Sequence, residues 1–237
     1  MSTPAAAAAS TAATQPWPDL PALLGALDGI ARVDGDGVEI LDEDAFRGHL
    51  VDGLVRTAVF AADPVRAAAR WLLRAAAPRL GAFPASIHDL YAAAGRGAYD
   101  GRTAPAINVR GLAYDTMRAV FRAARATDTK IVLFELARSE MGYTEQRPAE
   151  YASCAFAAAI KEGHRGPVFV QGDHYQIAAK KYAADPEAEL RAIRDLTAEA
   201  IAAGYFNIDI DASTIVDLDL PTLAEQQTLN ARQSPAA

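Results

Sequence analysis

From residue 104 onward the sequence alternates between short apolar runs and longer stretches with helical spacing, and no other feature restricts its fold as strongly. Residues 104–109 form a short apolar run. Lys130 then opens Ile131-Val132-Leu133-Phe134-Glu135-Leu136, a nearly continuous apolar stretch suited to a strand covered on both faces. Residues 167–171 supply a third strand, and 205–211 a fourth with alternating polar and apolar residues. Between them, Asp115 is placed to cap a helix with Met117, Val120, Phe121 and Ala124 on its apolar face. Pro148 and Gly163 bracket a second helix in the Pro-start, Gly-stop order. Asp185-Pro186-Glu187 opens a third, which ends at Gly204, and an incipient helix follows at 223–232. Strands separated by helices imply parallel βαβ units with right-handed crossovers. Two architectures fit: a doubly wound sheet, or part of an eight-stranded barrel. A whole barrel takes about 250 residues, so a barrel reading expects the chain to stop halfway. No Gly-x-Gly-x-x-Gly follows any strand, which leaves the dinucleotide-binding reading weak.

The preceding region has another character. Residues 17–103 read as a helical N-terminal extension with no strand signal. Asp42-Glu43-Asp44 precedes Phe46, Leu50, Leu54 and Val55, a helical spacing with acids at its start. Asp63-Pro64 starts another stripe through Val65, Ala68, Ala69, Leu72 and Leu73, which Pro78 and Gly81 stop. Trp71 reads as helix core, and 86–94 as a short helix. Residues 1–16 are rich in Ala, Ser and Thr without an amphipathic pattern, and read as a disordered tail. The barrel-like domain is then 104–237.

Hydrophobic residues make up 51%, ample for a core, and the formal net charge is -7. That balance argues against a nucleic-acid binder, which needs a basic stripe. Cys154 is the one cysteine, so no intrachain disulfide is expected, and its apolar neighbours make it a core residue. No apolar run is long enough to span a membrane, and the N-terminus lacks the basic residues of a leader. The expected setting is the cytoplasm.

In parallel α/β folds the chemistry sits at the C-terminal ends of the strands. Three polar groups fall there. Gln171-Gly172-Asp173-His174 brings a carboxylate and an imidazole to the end of an apolar strand. Imidazole ligates zinc and a nearby carboxylate can carry a proton; a turn-capping Asp beside an exposed His fits the same pattern. In Asn207-Ile208-Asp209-Ile210-Asp211, alternation puts Asn207, Asp209 and Asp211 on one face. Inward acids need a partner or a metal, unless this is an edge strand with one wet face. Glu135 interrupts its apolar strand, and Ser139 follows where a hydroxyl and backbone amides can hold phosphate; a solvated loop, extending through Gly142-Tyr143-Thr144, fits as well. Lys180-Lys181 reads as a solvated pair or a phosphate contact. His49, His88 and His164 read as surface or packing residues.

The order of these motifs resembles that of class II (metal-dependent) fructose-bisphosphate and tagatose-bisphosphate aldolases. Pro105-Ala106-Ile107-Asn108-Val109, a helix, then Lys130-Ile131-Val132-Leu133 is similar to their first βαβ unit. Val170-Gln171-Gly172-Asp173-His174 resembles their strand ending in Asp-His, and 204–213 their next strand, ending in Asp-Ala-Ser. The likeness covers about 104–230 and implies half of a TIM-type (β/α) barrel, four parallel strands in sequential order. It implies an aldehyde-lyase acting on a phosphorylated ketose. Asp173 would be the catalytic acid/base, His174 and Asp211 would serve a divalent metal, usually zinc, and Asn108 and Ser139 would bind substrate. The family's further metal-binding histidines lie on later strands, and no histidine follows His174 here. The implied activity of this chain alone is therefore very low or absent, even with zinc added. The implied assembly is a homo-oligomer or a complementing subunit. The alternative is a non-catalytic or degenerate aldolase-like fragment acting in assembly.

Overall fold

The computed structural model describes residues 15–237; residues 1–14 of the expected tail lie outside the described residues. Helix α1 (Leu20–Gly25) starts at Asp19, whose carboxylate accepts the Ala22 N–H at 2.8 Å. Strands β1 (Ala31–Asp34) and β2 (Gly37–Ile40) follow as an antiparallel hairpin. The extension was expected to hold no strand, so this hairpin is a correction. Its strands are four residues each, too short for a visible period, and its signal is the two-residue turn, where Gly35 takes φ 55°. Asp42 caps α2 (Glu43–Ala45), which runs through a π-turn at Phe46–Leu50 into α3 (Val51–Phe60). Then come α4 (Val65–Arg79), strand β3 (Ala82–Pro84) and α5 (His88–Gly95). Strand β3 is a second departure from the all-helical expectation. Three residues between a glycine and a proline carry too little pattern to declare a strand. Trp71 is half-buried, whereas Leu72 and Leu73 beside it are fully buried.

The alternating region folds much as its pattern implies. Strand β4 (Ala106–Asn108) leads to α6 (Ala113–Ala126), β5 (Leu133–Ala137), α7 (Arg138–Thr144) and α8 (Pro148–Lys161). Strand β6 (Gly166–Gln176), α9 (Ala179–Ala184), α10 (Pro186–Ala203) and β7 (Asn207–Asp211) follow, and short helices α11 (Leu223–Gln226) and α12 (Thr228–Gln233) come after them. Helix α6 begins two residues before Asp115, after Leu112 in the left-handed region, so Asp115 lies in the first turn and is not the cap. Asp185 does cap α10, and Gly204 ends it at φ 101°. The loop expected after β5 is instead the helix α7. Its Glu140 reaches back to the Ala137 N–H, which stabilises a helical turn directly after the strand.

Strands β4, β5, β6 and β7 are parallel and pair in sequence order: β4 with β5, β5 with β6, β6 with β7. Strand β3 pairs parallel with the first residues of β6. The fold is α/β, with a five-stranded parallel sheet and helices.

The chain divides into two compact units. Among the described residues the first comprises 15–85, 111–132 and 149–168. Its core holds Leu50, Leu54, Leu72, Leu73 and the helix α8, buried on nearly every side from Tyr151 to Ile160. Cys154 sits in this core, where burial pushes its thiol up to about 12. The second unit comprises 86–110, 133–148 and 169–237, and buries Phe134, Met141, Tyr175, Ile193 and Tyr205. Among the described residues no helix is long and apolar enough to cross a membrane.

Candidate functional site at the C-terminal strand ends

The site is organised by an irregularity in β6. Gly172 faces Ile208 on β7, and Tyr175 faces Ile210. Two residues of β6, Asp173 and His174, therefore stand opposite the single residue Asp209. This is a β-bulge, which bends a strand and re-aims its side chains. His174 takes up the extra length with φ 43°, a conformation unusual for a non-glycine residue. Gly172 makes the bulge possible. A Cβ there would fall within the ring of Tyr175, a fully buried side chain folded over the glycine.

The bulge gathers three donors. The Asp173 carboxylate lies 3.7 Å from Nδ1 of His174, and the His174 N–H donates to Asp209 Oδ2 at 3.3 Å. One ligand atom from each of Asp173, His174 and Asp209 lies within 4.8 Å of the others. One imidazole and two carboxylates make an open three-donor set that fits a divalent cation with positions left for water or substrate. Its oxygen content suits harder cations better than a cysteine-rich site does.

Asp211, expected to serve the metal, lies further along the strand and is not one of these three. Its carboxylate accepts from the Gln176 amide at 2.7 Å and the Ser213 N–H at 2.8 Å. Burial works against its charged form, but the Ser213 hydroxyl and N–H and the Gln176 amide outweigh it and hold the carboxyl below its ordinary range. Asn207, on the same face, is committed to structure: it accepts from the Ile87 N–H and donates to the Val170 carbonyl.

Asp173 and His174 line a cavity of about 600 Å³ together with Asn108, Glu135, Ser139 and Lys181. Strands β4, β5 and β6 thus each bring a polar residue to this cavity, and Asp209 of β7 joins them through the His174 N–H. Burial pushes the Glu135 carboxyl up, and the neighbouring Asp173 charge adds to the shift. Asn108 gives its Nδ2 to Glu140 at 2.6 Å, and its buried Oδ1 has no donor among the described residues. Ser139 stands exposed on the first turn of α7.

Two buried carboxylates hold two arginines at the same cavity. Glu140 accepts from the Ala137 N–H, from Asn108 and from Arg110 Nε. Burial opposes its charged form, but these donors outweigh it and hold the carboxyl below its ordinary range. Glu189, whose side chain is only 2% exposed, pairs with both terminal nitrogens of Arg138 and accepts the Ala178 N–H. Its carboxyl is likewise held low: burial is outweighed by Arg138 and the Ala178 N–H.

Sequence reasoning expected Asp173, His174 and Asp211 to cluster at one rim with Asn108 on the same side and Ser139 as a further substrate contact; the structure lines one cavity with Asp173, His174, Asn108 and Ser139, and Asp211 is not among its lining residues. It missed Arg110, Glu140 and Glu189, and it weighted Asp211 above Asp209. Strand alternation puts both acids on one face and cannot rank them. The bulge ranks them, and its only sequence signal is the glycine before Asp173. Compared with known proteins, the chain matches no family model, no curated protein and no solved structure.

Proposed function

We propose that this chain carries the first half of a (β/α) barrel of the class II aldolase type. Its strand-end cavity would cleave or form a carbon–carbon bond in a phosphorylated ketose. One observation carries the reading: Asp173, His174 and Asp209 converge through the β6 bulge, at the strand ends where parallel folds do chemistry. The sequential order of four parallel strands also supports it, since a doubly wound sheet reverses direction beside its first strand.

His174 and Asp209 would hold a divalent cation, zinc or a harder metal. Bound there, the cation would polarise the ketose carbonyl as a Lewis acid. Asp173 would take the proton from the hydroxyl on the carbon that becomes the aldehyde. The O–H electron pair then forms the new C=O bond, and the C–C pair moves toward the ketone carbon. In the synthetic direction Asp173 returns the proton. Asn108 and Ser139 would contact the sugar phosphate. Glu135 stays protonated to higher pH than an ordinary carboxyl and can donate a hydrogen bond to a substrate oxygen.

A second reading has its own support. Among the described residues β7 pairs as a strand only with β6, so a further strand could add along its other edge. A second copy, or a complementing subunit, would supply it, and a non-catalytic role in such an assembly accords with a metal set holding one imidazole.

The test is a cleavage assay on fructose 1,6-bisphosphate and tagatose 1,6-bisphosphate with zinc, cobalt or manganese. Slow cleavage is expected, abolished by chelator and by His174→Ala. No cleavage with any of these metals would remove the catalytic reading and leave the assembly role.

A further inference from the structure

We infer that Arg110 recognises the anionic end of the substrate, and that Glu140 is the residue that positions it. The inference rests on the aldolase reading only for which end of the cavity does the chemistry. Three cationic side chains line that cavity: Arg110, Arg138 and Lys181. They differ in what remains free. Arg138 gives Nη1 to the Gln176 carbonyl and to Glu189, and Nη2 to Glu189, so its charge is neutralised and its fork is occupied. The Lys181 carbonyl accepts the Asp185 N–H, but its ammonium makes no hydrogen bond among the described residues and is a point charge on a flexible stem. Arg110 is bound to Glu140 through Nε alone. Its terminal nitrogens have no partner among the described residues, and its side chain is 60% exposed.

Arg110 is also fixed at both ends. Its carbonyl accepts from Gln146 Nε2 at 2.8 Å, which holds the chain just after β4. At the other end, Glu140 cannot swing away, because the Ala137 N–H and the Asn108 amide hold the same carboxylate. The guanidinium is therefore held by its inner nitrogen with its outer edge free. That edge is a planar fork matching two oxygens of a phosphate or a carboxylate, and fixing it beforehand removes part of the ordering cost of binding. The acids Glu135 and Asp173 on the same cavity disfavour an anion beside them, whereas the Glu140 carboxylate on the Arg110 side is taken up by Arg110 Nε, Asn108 and the Ala137 N–H, which leaves the outer edge of Arg110 for it. The ligand chemistry is an anionic group with two oxygens in one plane, and either a phosphate ester or a carboxylate supplies it.

The test titrates inorganic phosphate, and separately acetate, into the full chain at low salt, without metal and without turnover. Calorimetry gives the affinity, and the Arg110 Nε–H resonance reports the site. Wild type is expected to bind one of the two anions, and the tighter one names the source. Arg110→Ala should weaken that binding about tenfold or more, the usual scale for a charge-assisted bidentate contact. Arg110→Lys, which keeps the charge and loses the fork, should recover only part of it. Glu140→Gln should shift the Arg110 Nε–H signal and weaken binding by a smaller factor, with the far-ultraviolet circular dichroism unchanged. A wild type that binds neither anion, or an Arg110→Ala variant that binds as wild type does, overturns the inference. Arg110-dependent binding without aldol cleavage removes the catalytic reading alone. Cleavage that is indifferent to Arg110 removes this inference alone.

Discussion

The first unit holds a cavity of about 380 Å³ lined by Arg125, Asp128, Lys130, Glu162, His164 and Arg165. The second unit holds one of about 600 Å³ that also mixes arginines, a lysine, acids and a histidine. Their charges behave differently. In the first, Lys130 pairs with Asp128, Arg165 with Glu43, and Glu162 with both Arg118 and Arg122. Arg125 donates to the Glu162 carbonyl, and His164 stacks on Phe121 with its Nε2 against the Pro167 carbonyl. In the second, the His174 ring is 64% exposed beside two carboxylates, and Arg110 keeps its outer edge free. A polar cavity is thus not in itself a site. What distinguishes the second is polar groups held in place by buried partners while their reactive atoms stay open. The charged groups of the first cavity are largely paired, whereas in the second the Arg110 outer edge and the His174 ring stay open.

The largest expected effect comes from removing the device that opens the second site. Gly172→Ala puts a methyl group into the Tyr175 ring. It should cost about 3 kcal/mol of stability, the upper end of ordinary overpacking, and abolish metal binding with it. Combined with Tyr175→Ala, itself a costly truncation of a fully buried side chain, it should cost less in chemical denaturation than the sum of the two single changes. Equal stability of Gly172→Ala and wild type would show that the bulge does not depend on this contact.

Glu162→Ala should cost about 1–2 kcal/mol, because it strands two partly exposed arginines. Its metal affinity and anion affinity should match those of wild type. A loss of either affinity would erase the distinction between the two cavities.

A smaller effect concerns pH. The Glu140 and Glu189 carboxyls are held below their ordinary value of 4.5 in the folded chain. A depressed carboxyl contributes stability that is present above the unfolded value and lost as pH falls through the folded one. Stability should therefore decline below about pH 4.5, and the decline should be shallower in Glu189→Gln, which no longer titrates. Thermal melts across pH 3 to 6, a range set by ordinary carboxyl values, test this. A variant with the same acid decline as wild type would show that this carboxylate does not supply it.

Much of the second half was legible before the structure. Nearly continuous apolar runs gave β5 and β6, because buried parallel strands are apolar on both faces, and the alternation after Gly204 gave β7. The Asp173-His174 pair stood out because it ends such a run. The N-terminal hairpin and β3 were not legible, since strands of three or four residues show no period. Arg110 and Glu140 are 30 residues apart, and only the parallel pairing of β4 with β5 brings them together. Asp209 and Asp211 differ by register alone, and register there is set by one extra residue in the neighbouring strand.

The central claim is that the β6 bulge gathers Asp173, His174 and Asp209 so that His174 and Asp209 would hold a divalent cation beside the Asp173 carboxylate. Cobalt titration followed by visible absorption tests it most directly, because the ligand-field bands report donor type as well as affinity. The expected result is weak binding at a single site, lost in His174→Ala and Asp209→Asn and unchanged in His164→Ala, whose histidine packs in the other cavity. Cobalt binding that survives His174→Ala, or that is absent from the wild-type chain, would contradict it.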